Sequence, residues 1–202
     1  MPDFLFAQAF TLWGAPATWS EVVAFVLSLI MVGCNIREIH WGWPLAIVSS
    51  LLYFAVFWHA RLYGDASLQL FFVVVAFWGW FQWLRGHRAD GQALRVARLD
   101  TRGRAVAVIA SLLLWPATGL FLARFTDTDV PFWDAFPTAV SLVGQFLLGR
   151  KYLENWLAWL AVNGVGVTLF VHKGLWLTAV LYTLFALLSV AGWRAWRQRI
   201  AP

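Results

Sequence analysis

The sequence contains a single cysteine in 202 residues, Cys34. One thiol excludes an intramolecular disulfide and a cysteine-built metal site. Set in an apolar run, Cys34 reads as a small core residue. Charge is also scarce. Asp, Glu, Lys and Arg make up 12% of the chain, against roughly a quarter in an ordinary soluble domain. With 61% apolar residues and a mean hydropathy of +0.70, too little polar material remains to cover a water-facing surface. A bilayer accepts such a chain, because the lipid-facing side must itself be apolar. No glycine-rich phosphate loop, metal-ligand cluster or nucleophile–base pair is present, so catalysis, a metal and a cofactor find no support. Met1 to Thr18 lacks Lys and Arg and is interrupted by Asp3 and Pro16, which is not the form of a signal peptide. Phe4 to Trp13 reads as a short apolar segment lying at the interface.

What is present is apolar and aromatic. A spanning helix needs about 20 mostly apolar residues. Seven such runs occur, near residues 20–36, 43–60, 66–84, 105–125, 133–149, 155–171 and 175–196. Charges in Asn35-Ile36-Arg37-Glu38 end the first run, because hydrocarbon penalises them. Tyr63-Gly64-Asp65 is a turn signal, and Asp127 with Asp129, Arg150-Lys151 and His172-Lys173-Gly174 mark further breaks. The expected class is therefore an all-α integral membrane protein. It divides into an interfacial segment (1–19), a three-helix unit (20–84), a basic loop (85–104), a linker helix with its outer loop (105–131), a second three-helix unit (132–197) and a tail (198–202). The fifteen Trp residues suit aromatic belts at the two interfaces.

Twelve of the fifteen Lys and Arg residues fall on one side of these runs: Arg37, six arginines within 85–104, Arg150, Lys151, Arg194, Arg197 and Arg199. The positive side is expected in the cytoplasm. That places the N-terminus outside and the C-terminus inside, in a bacterial inner membrane. The net charge of +5 is thereby explained by topology, and nucleic acid is not an expected partner.

The chain matches itself at an offset of 113. Gly79-Trp80-Phe81-Gln82-Trp83 corresponds to Gly192-Trp193-Arg194-Ala195-Trp196, Arg37 to Arg150, Trp43 to Trp156 and His59 to His172. Two three-helix units in direct succession would be antiparallel. The fourth helix restores the orientation, giving a 3+1+3 plan with parallel repeats. Transporters of repeated plan bind substrate near the midplane between repeats and rock one repeat on the other. No acidic residue lies deep within a run, since Glu21, Asp65 and Asp134 are near ends. Ion-coupled carriers often carry one at depth, so uncoupled transport is expected.

The sixth run carries the richest polar face. Trp156, Trp159 and Asn163 are spaced by three and four residues and share one helix face, with Asn163 about 10 Å deeper than Trp156. Such a face suits a flat aromatic amide: indole rings stack on it, on a cationic ring more strongly, and the Asn amide complements a carboxamide. A belt Trp pair with an interhelical Asn bond fits the same residues. The repeat mates are Trp43 and Ser50. Gln69 on the third run pairs with Tyr182 on the seventh, and both can face a shared centre. Gln69 and Gln145 also suit helix–helix hydrogen bonding.

Together, Arg37 to Trp43, Leu62-Tyr63-Gly64-Asp65 with Leu68-Gln69, Gly79 to Trp83, Arg150-Lys151 with Glu154-Asn155-Trp156, and Lys173-Gly174-Leu175 resemble the PnuC-type vitamin transporters, mainly carriers of nicotinamide riboside. The resemblance covers about residues 20–197. It implies a SWEET-like 3+1+3 fold, a homotrimer, and facilitated diffusion of the nucleoside with trapping by a cytoplasmic kinase. It also implies substrate contacts by Trp156, Trp159, Asn163 and Gln69, to which the repeat adds Trp43 and Tyr182. Two alternatives stay open: a carrier of thiamine or another flat vitamin, and a non-transporting scaffold or sensor.

Overall fold

The computed structural model describes residues 7–12, 14–59, 63–88, 91–126, 130–172, 174 and 176–200. Arg61, Asp127, Asp129 and Lys173 lie outside them, as do Phe4 to Phe6 and Trp13 of the expected interfacial segment. The described part of that segment forms a hairpin: β1 (Gln8–Leu12) pairs antiparallel with β2 (Ala15–Thr18). Gly14, with φ of 85°, supplies the left-handed backbone where the chain reverses. The all-α class holds, with this hairpin standing ahead of the first helix. A short apolar stretch that must turn back into a helix N-terminus satisfies its backbone by pairing with itself.

Seven helices follow: α1 (Trp19–Ile36), α2 (Gly42–His59), α3 (Tyr63–Arg85), α4 (Thr101–Phe125), α5 (Pro131–Gly149), α6 (Asn155–His172) and α7 (Trp176–Arg199). By length and apolarity α1, α4 and α7 each qualify to cross a membrane, with mean hydropathies of 1.8, 2.1 and 1.7. Helix α1 starts at a capping box. The Thr18 amide donates to Glu21 Oε2 at 2.7 Å, and the Glu21 amide to Thr18 Oγ1 at 3.3 Å, satisfying two donors that no helical carbonyl can reach. Helix α4 starts at Thr101, earlier than the composition suggests, because Asp100 Oδ1 accepts from the Gly103 amide at 2.7 Å. Arg102 and Arg104 are therefore helical, not part of the loop.

Helices α1, α2 and α3 pack in sequence, and so do α5, α6 and α7. The halves meet where α1 touches α7 and α3 touches α5. At the offset of 113 these two contacts are each other's mates. Helix α4 packs on α5 and leaves most of its surface, including Leu113, Leu120 and Phe121, exposed.

The offset is visible in the backbone as well. Arg37 caps α1 with φ −86° and ψ 0°, and Arg150 caps α5 with φ −91° and ψ 4°. The next residues, Glu38 and Lys151, have φ of 58° and 56°. Ile39 N–H donates to Cys34 O at 2.9 Å, and Tyr152 N–H to Leu147 O at 2.8 Å. Both turns thus close by the same αL cap.

Gly-Trp-x-x-Trp proves to be a packing motif. A Cβ at Gly192 would stand 2.5–2.6 Å from three ring atoms of Trp156, and one at Gly79 would collide with the ring of Trp43. The last Trp of each motif meets the same ring edge-on: Trp83 on Trp43 at 5.6 Å and 85°, Trp196 on Trp156 at 5.4 Å and 87°. Each glycine lets the facing helix lay an indole flat against it.

Candidate functional site between the two halves

The arginine-rich end is clasped. Trp196 Nε1 donates to the carbonyls of Asn35 and Ile36 at 3.2 and 3.1 Å, and Trp83 Nε1 to that of Leu148 at 3.0 Å. Asn35 and Leu148 are repeat mates, so each half caps the end of the other half's first helix reciprocally. Glu38 and Lys151, also mates, form an ion pair at 2.9 Å, and Arg199 reaches Glu38 at 2.8 Å. Burial pushes the Glu38 carboxyl up, but bonds and charge from Lys151, then Arg199, outweigh it and hold the group below its ordinary value. Lys151 also stands over the Trp83 ring at 4.9 Å. The basic loop is docked on this end. Ala97 N–H donates to Lys151 O at 3.1 Å, Leu153 N–H to Ala97 O at 2.8 Å, and Arg104 pairs with Glu154 at 3.1 Å.

Above the clasp, Trp43 and Trp156 meet in one buried cluster with Ile47, Leu148, Leu153 and Trp196. Their indole N–H groups are buried without an acceptor among the described residues. A donor left this way costs about 1–3 kcal/mol. Next along α6, Trp159 is half-buried and lies beside Gly144 of α5, where a Cβ would meet its ring at 3.5 Å. Asn163 is buried, and its Nδ2 donates to Ser189 Oγ at 3.3 Å, while Ser189 Oγ donates to Phe185 O at 2.7 Å. That chain orients the Asn163 amide. In the first half the same places hold Ser50 and Ala76, so the polar pair exists in one half only. The first half has its own pair, Ser28 and Ser49, whose hydroxyls are 3.1 Å apart across α1 and α2.

Nearer the opposite end, Tyr182 lies against Gly166, with its ring 4.7 Å from that of Phe170. Its repeat mate Gln69 is half-buried on α3. Tyr53 on α2 lines a small cleft together with Glu21 of α1 and Leu181 of α7. Gln145 on α5 keeps a buried Oε1 without a partner among the described residues. Of the six residues singled out from sequence, Trp43 and Trp156 share one cluster. Trp159, Asn163 and Tyr182 are ranged along α6 and α7, and Gln69 stands on α3. Ser189 and Tyr53 were not anticipated. Ser189 was detectable as a Ser-for-Ala difference at offset 113, Tyr53 as a Tyr-for-Gly one.

The family model described as nicotinamide mononucleotide transporter matches residues 18–198. The chain is similar to the riboflavin/roseoflavin transporter RibM of Streptomyces davaonensis, 32% identical over 98% of this chain and 93% of that one. It is also similar to the nicotinamide riboside transporter PnuC of Escherichia coli, 24% identical over 91% and 87% of the two chains. Its fold matches the solved structure of a vitamin B3 transporter PnuC with a TM-score of 0.73, at 24% identity over 89% of this chain and 81% of that one. Matched from the α1 capping box to the last turn of α7, the chain belongs to the nicotinamide mononucleotide transporter family, as a PnuC-type membrane transporter.

Proposed function

We propose that the protein carries nicotinamide riboside across the bacterial inner membrane by facilitated diffusion, and that cytoplasmic phosphorylation traps the product. The observation that carries this reading is the oriented amide of Asn163, buried at mid-depth on α6 one turn beyond Trp159. Trp159 supplies an indole face for a flat ring, more favourable when that ring is cationic. Asn163 complements the carboxamide, Gln69 and Tyr182 close the sides, and Trp43 and Trp156 form the floor, where their N–H groups, without an acceptor among the described residues, donate to a ligand oxygen.

In this reading the arginine-rich end is cytoplasmic, with the N-terminus outside. The two halves are parallel repeats joined by α4 in a SWEET-like 3+1+3 plan, and three copies assemble. The exposed face of α4 suits lipid or a neighbouring copy. Rocking of the halves opens the inner side by parting the two tryptophan hydrogen bonds and the Glu38–Lys151 pair.

A second cargo is favoured by a specific observation, the 32% identity to a riboflavin/roseoflavin transporter over nearly the whole chain. Riboflavin is also flat and bears a carbonyl-rich edge. Calorimetric titration of the purified protein with nicotinamide riboside, riboflavin and thiamine separates the cargoes. Saturable binding of nicotinamide riboside is expected. Binding of riboflavin alone would transfer the proposal to that cargo.

A further inference from the structure

Two hollows stand out among the described residues. The larger, about 270 Å3, lies between α6 and α7 within the second half and is walled by apolar side chains such as Val167, Val171 and Val180. Its one hydroxyl, on Thr183, is bonded to Ala179 O at 2.8 Å. The smaller, about 30 Å3, is of a different kind. Glu21 and Phe25 of α1, Tyr53 of α2, and Leu177, Thr178 and Leu181 of α7 line it. It lies between the halves, at the end opposite the clasp.

Residues bearing three kinds of oxygen line this cleft: a carboxylate, whose Oε2 also holds the α1 capping box, a phenol and an aliphatic hydroxyl. The carboxylate only accepts hydrogen bonds, whereas the other two both donate and accept. A vicinal diol has the complementary needs. The volume sets a further limit. A water or a hydroxyl needs roughly 10–15 Å3 of such space, so the cleft admits hydroxyl groups and excludes a flat ring. The asymmetry of the repeat supports a dedicated role. At the mates of Tyr53 and Tyr182 stand Gly166 and Gln69, so the aromatic sits on α2 in one half and on α7 in the other.

We propose that this cleft is a polyol subsite: Glu21, Tyr53 and Thr178 receive the hydroxyl groups of a ribose or ribityl chain entering from the outer side. The subsite rests on the transport reading above and adds to it a part of the cargo that the α6 face does not select. It makes the hydroxylated chain a determinant of specificity for either cargo ring.

Tyr53→Phe and Thr178→Val test it, each nearly isosteric and each removing one hydroxyl. Binding to the full-length protein in detergent is measured for nicotinamide riboside against nicotinamide, and for riboflavin against lumichrome, which lacks the ribityl chain. Each variant should lower affinity for the polyol-bearing partner about tenfold, the worth of one buried hydrogen bond, and narrow its advantage over the bare ring. Unchanged affinity for the polyol-bearing cargo in both variants overturns the subsite while leaving the transport reading intact. So does an equal loss for cargo and bare ring. Failure of the wild-type protein to bind any of the four compounds overturns both.

Discussion

Replacing Gly192 by Ala tests whether the tryptophan–glycine contact is what seats α6 on α7. The added methyl would lie 2.5–2.6 Å from Cε2, Cδ2 and Cε3 of Trp156, about 1 Å inside the carbon–carbon optimum. The ring has little room to retreat, because Trp156 is 3% exposed and Trp196 abuts it edge-on at 5.4 Å. Overpacking a core in this way costs about 1–3 kcal/mol, and three overlapping atoms of a rigid ring place Gly192→Ala near the upper value. Against this, alanine in a helix interior gains about 1 kcal/mol over glycine. The net expectation is a loss of about 2 kcal/mol, or roughly 4–8 °C in Tm for a chain of this length. Gly33 and Gly164 are the internal controls, since a Cβ at either meets nothing within 4 Å. Gly33→Ala should be neutral or stabilising by up to about 1 kcal/mol. Thermal unfolding in one detergent, read by tryptophan fluorescence, compares the three. Equal behaviour of Gly192→Ala and Gly33→Ala would refute the packing role. A Gly192→Ala protein restored by Trp156→Phe would support it further, because the smaller ring vacates the overlap.

Three further outcomes follow from the clasp and the α6 face. Glu38→Gln should destabilise by about 1–3 kcal/mol, between the values for exposed and fully buried ion pairs. Because the folded carboxyl is held below its ordinary 4.5, its contribution is complete above about that pH and lost as pH falls through the lowered value. Wild-type Tm should therefore drop in that acid window more steeply than that of Glu38→Gln. Parallel curves would count against the clasp. Trp196→Phe keeps most of the buried ring but deletes the bonds to Asn35 and Ile36 carbonyls, and should cost about 1–2 kcal/mol in thermal unfolding; Trp83→Phe should behave alike if the two are true mates. Asn163→Ala and Trp159→Ala should each lower cargo affinity by tenfold or more in calorimetry on protein that still unfolds cooperatively, while wild-type affinity in both would remove them from the site.

Much of this architecture is legible in the sequence because lipid simplifies it. Seven apolar runs become seven helices, and the charged breaks at Arg37 and Arg150 become turns with the same dihedral angles. The offset of 113 survives into hydrogen bonds because tryptophan, glycine and arginine are hard to replace in such a seam. What the sequence hides are contacts that depend on one local partner. Asp100 looks like one more charge in an arginine run, yet its carboxylate caps α4 by accepting from the Gly103 amide three residues on. The basic loop reads as a determinant of topology, and nothing in its composition tells that Ala97 is hydrogen-bonded to the turn between α5 and α6. Tryptophan in an apolar run gives no sign of whether it will bind, anchor or pack. Trp156 is buried on a glycine 36 positions away, a pairing that the motif Gly-Trp-x-x-Trp implies only once the facing helix is known. Tyr53 and Ser189 are ordinary residues until the opposing half is brought against them.

Uptake of labelled nicotinamide riboside into proteoliposomes holding the purified protein tests transport itself most directly. The expected result is saturable uptake that equilibrates without an ion gradient, is accelerated by counterflow, and falls at least tenfold at low substrate in Asn163→Ala. Protein shown to be folded that moves no nicotinamide riboside, with or without an imposed gradient, would contradict the proposed cargo. Uptake that proceeds only against a proton or sodium gradient would contradict facilitated diffusion.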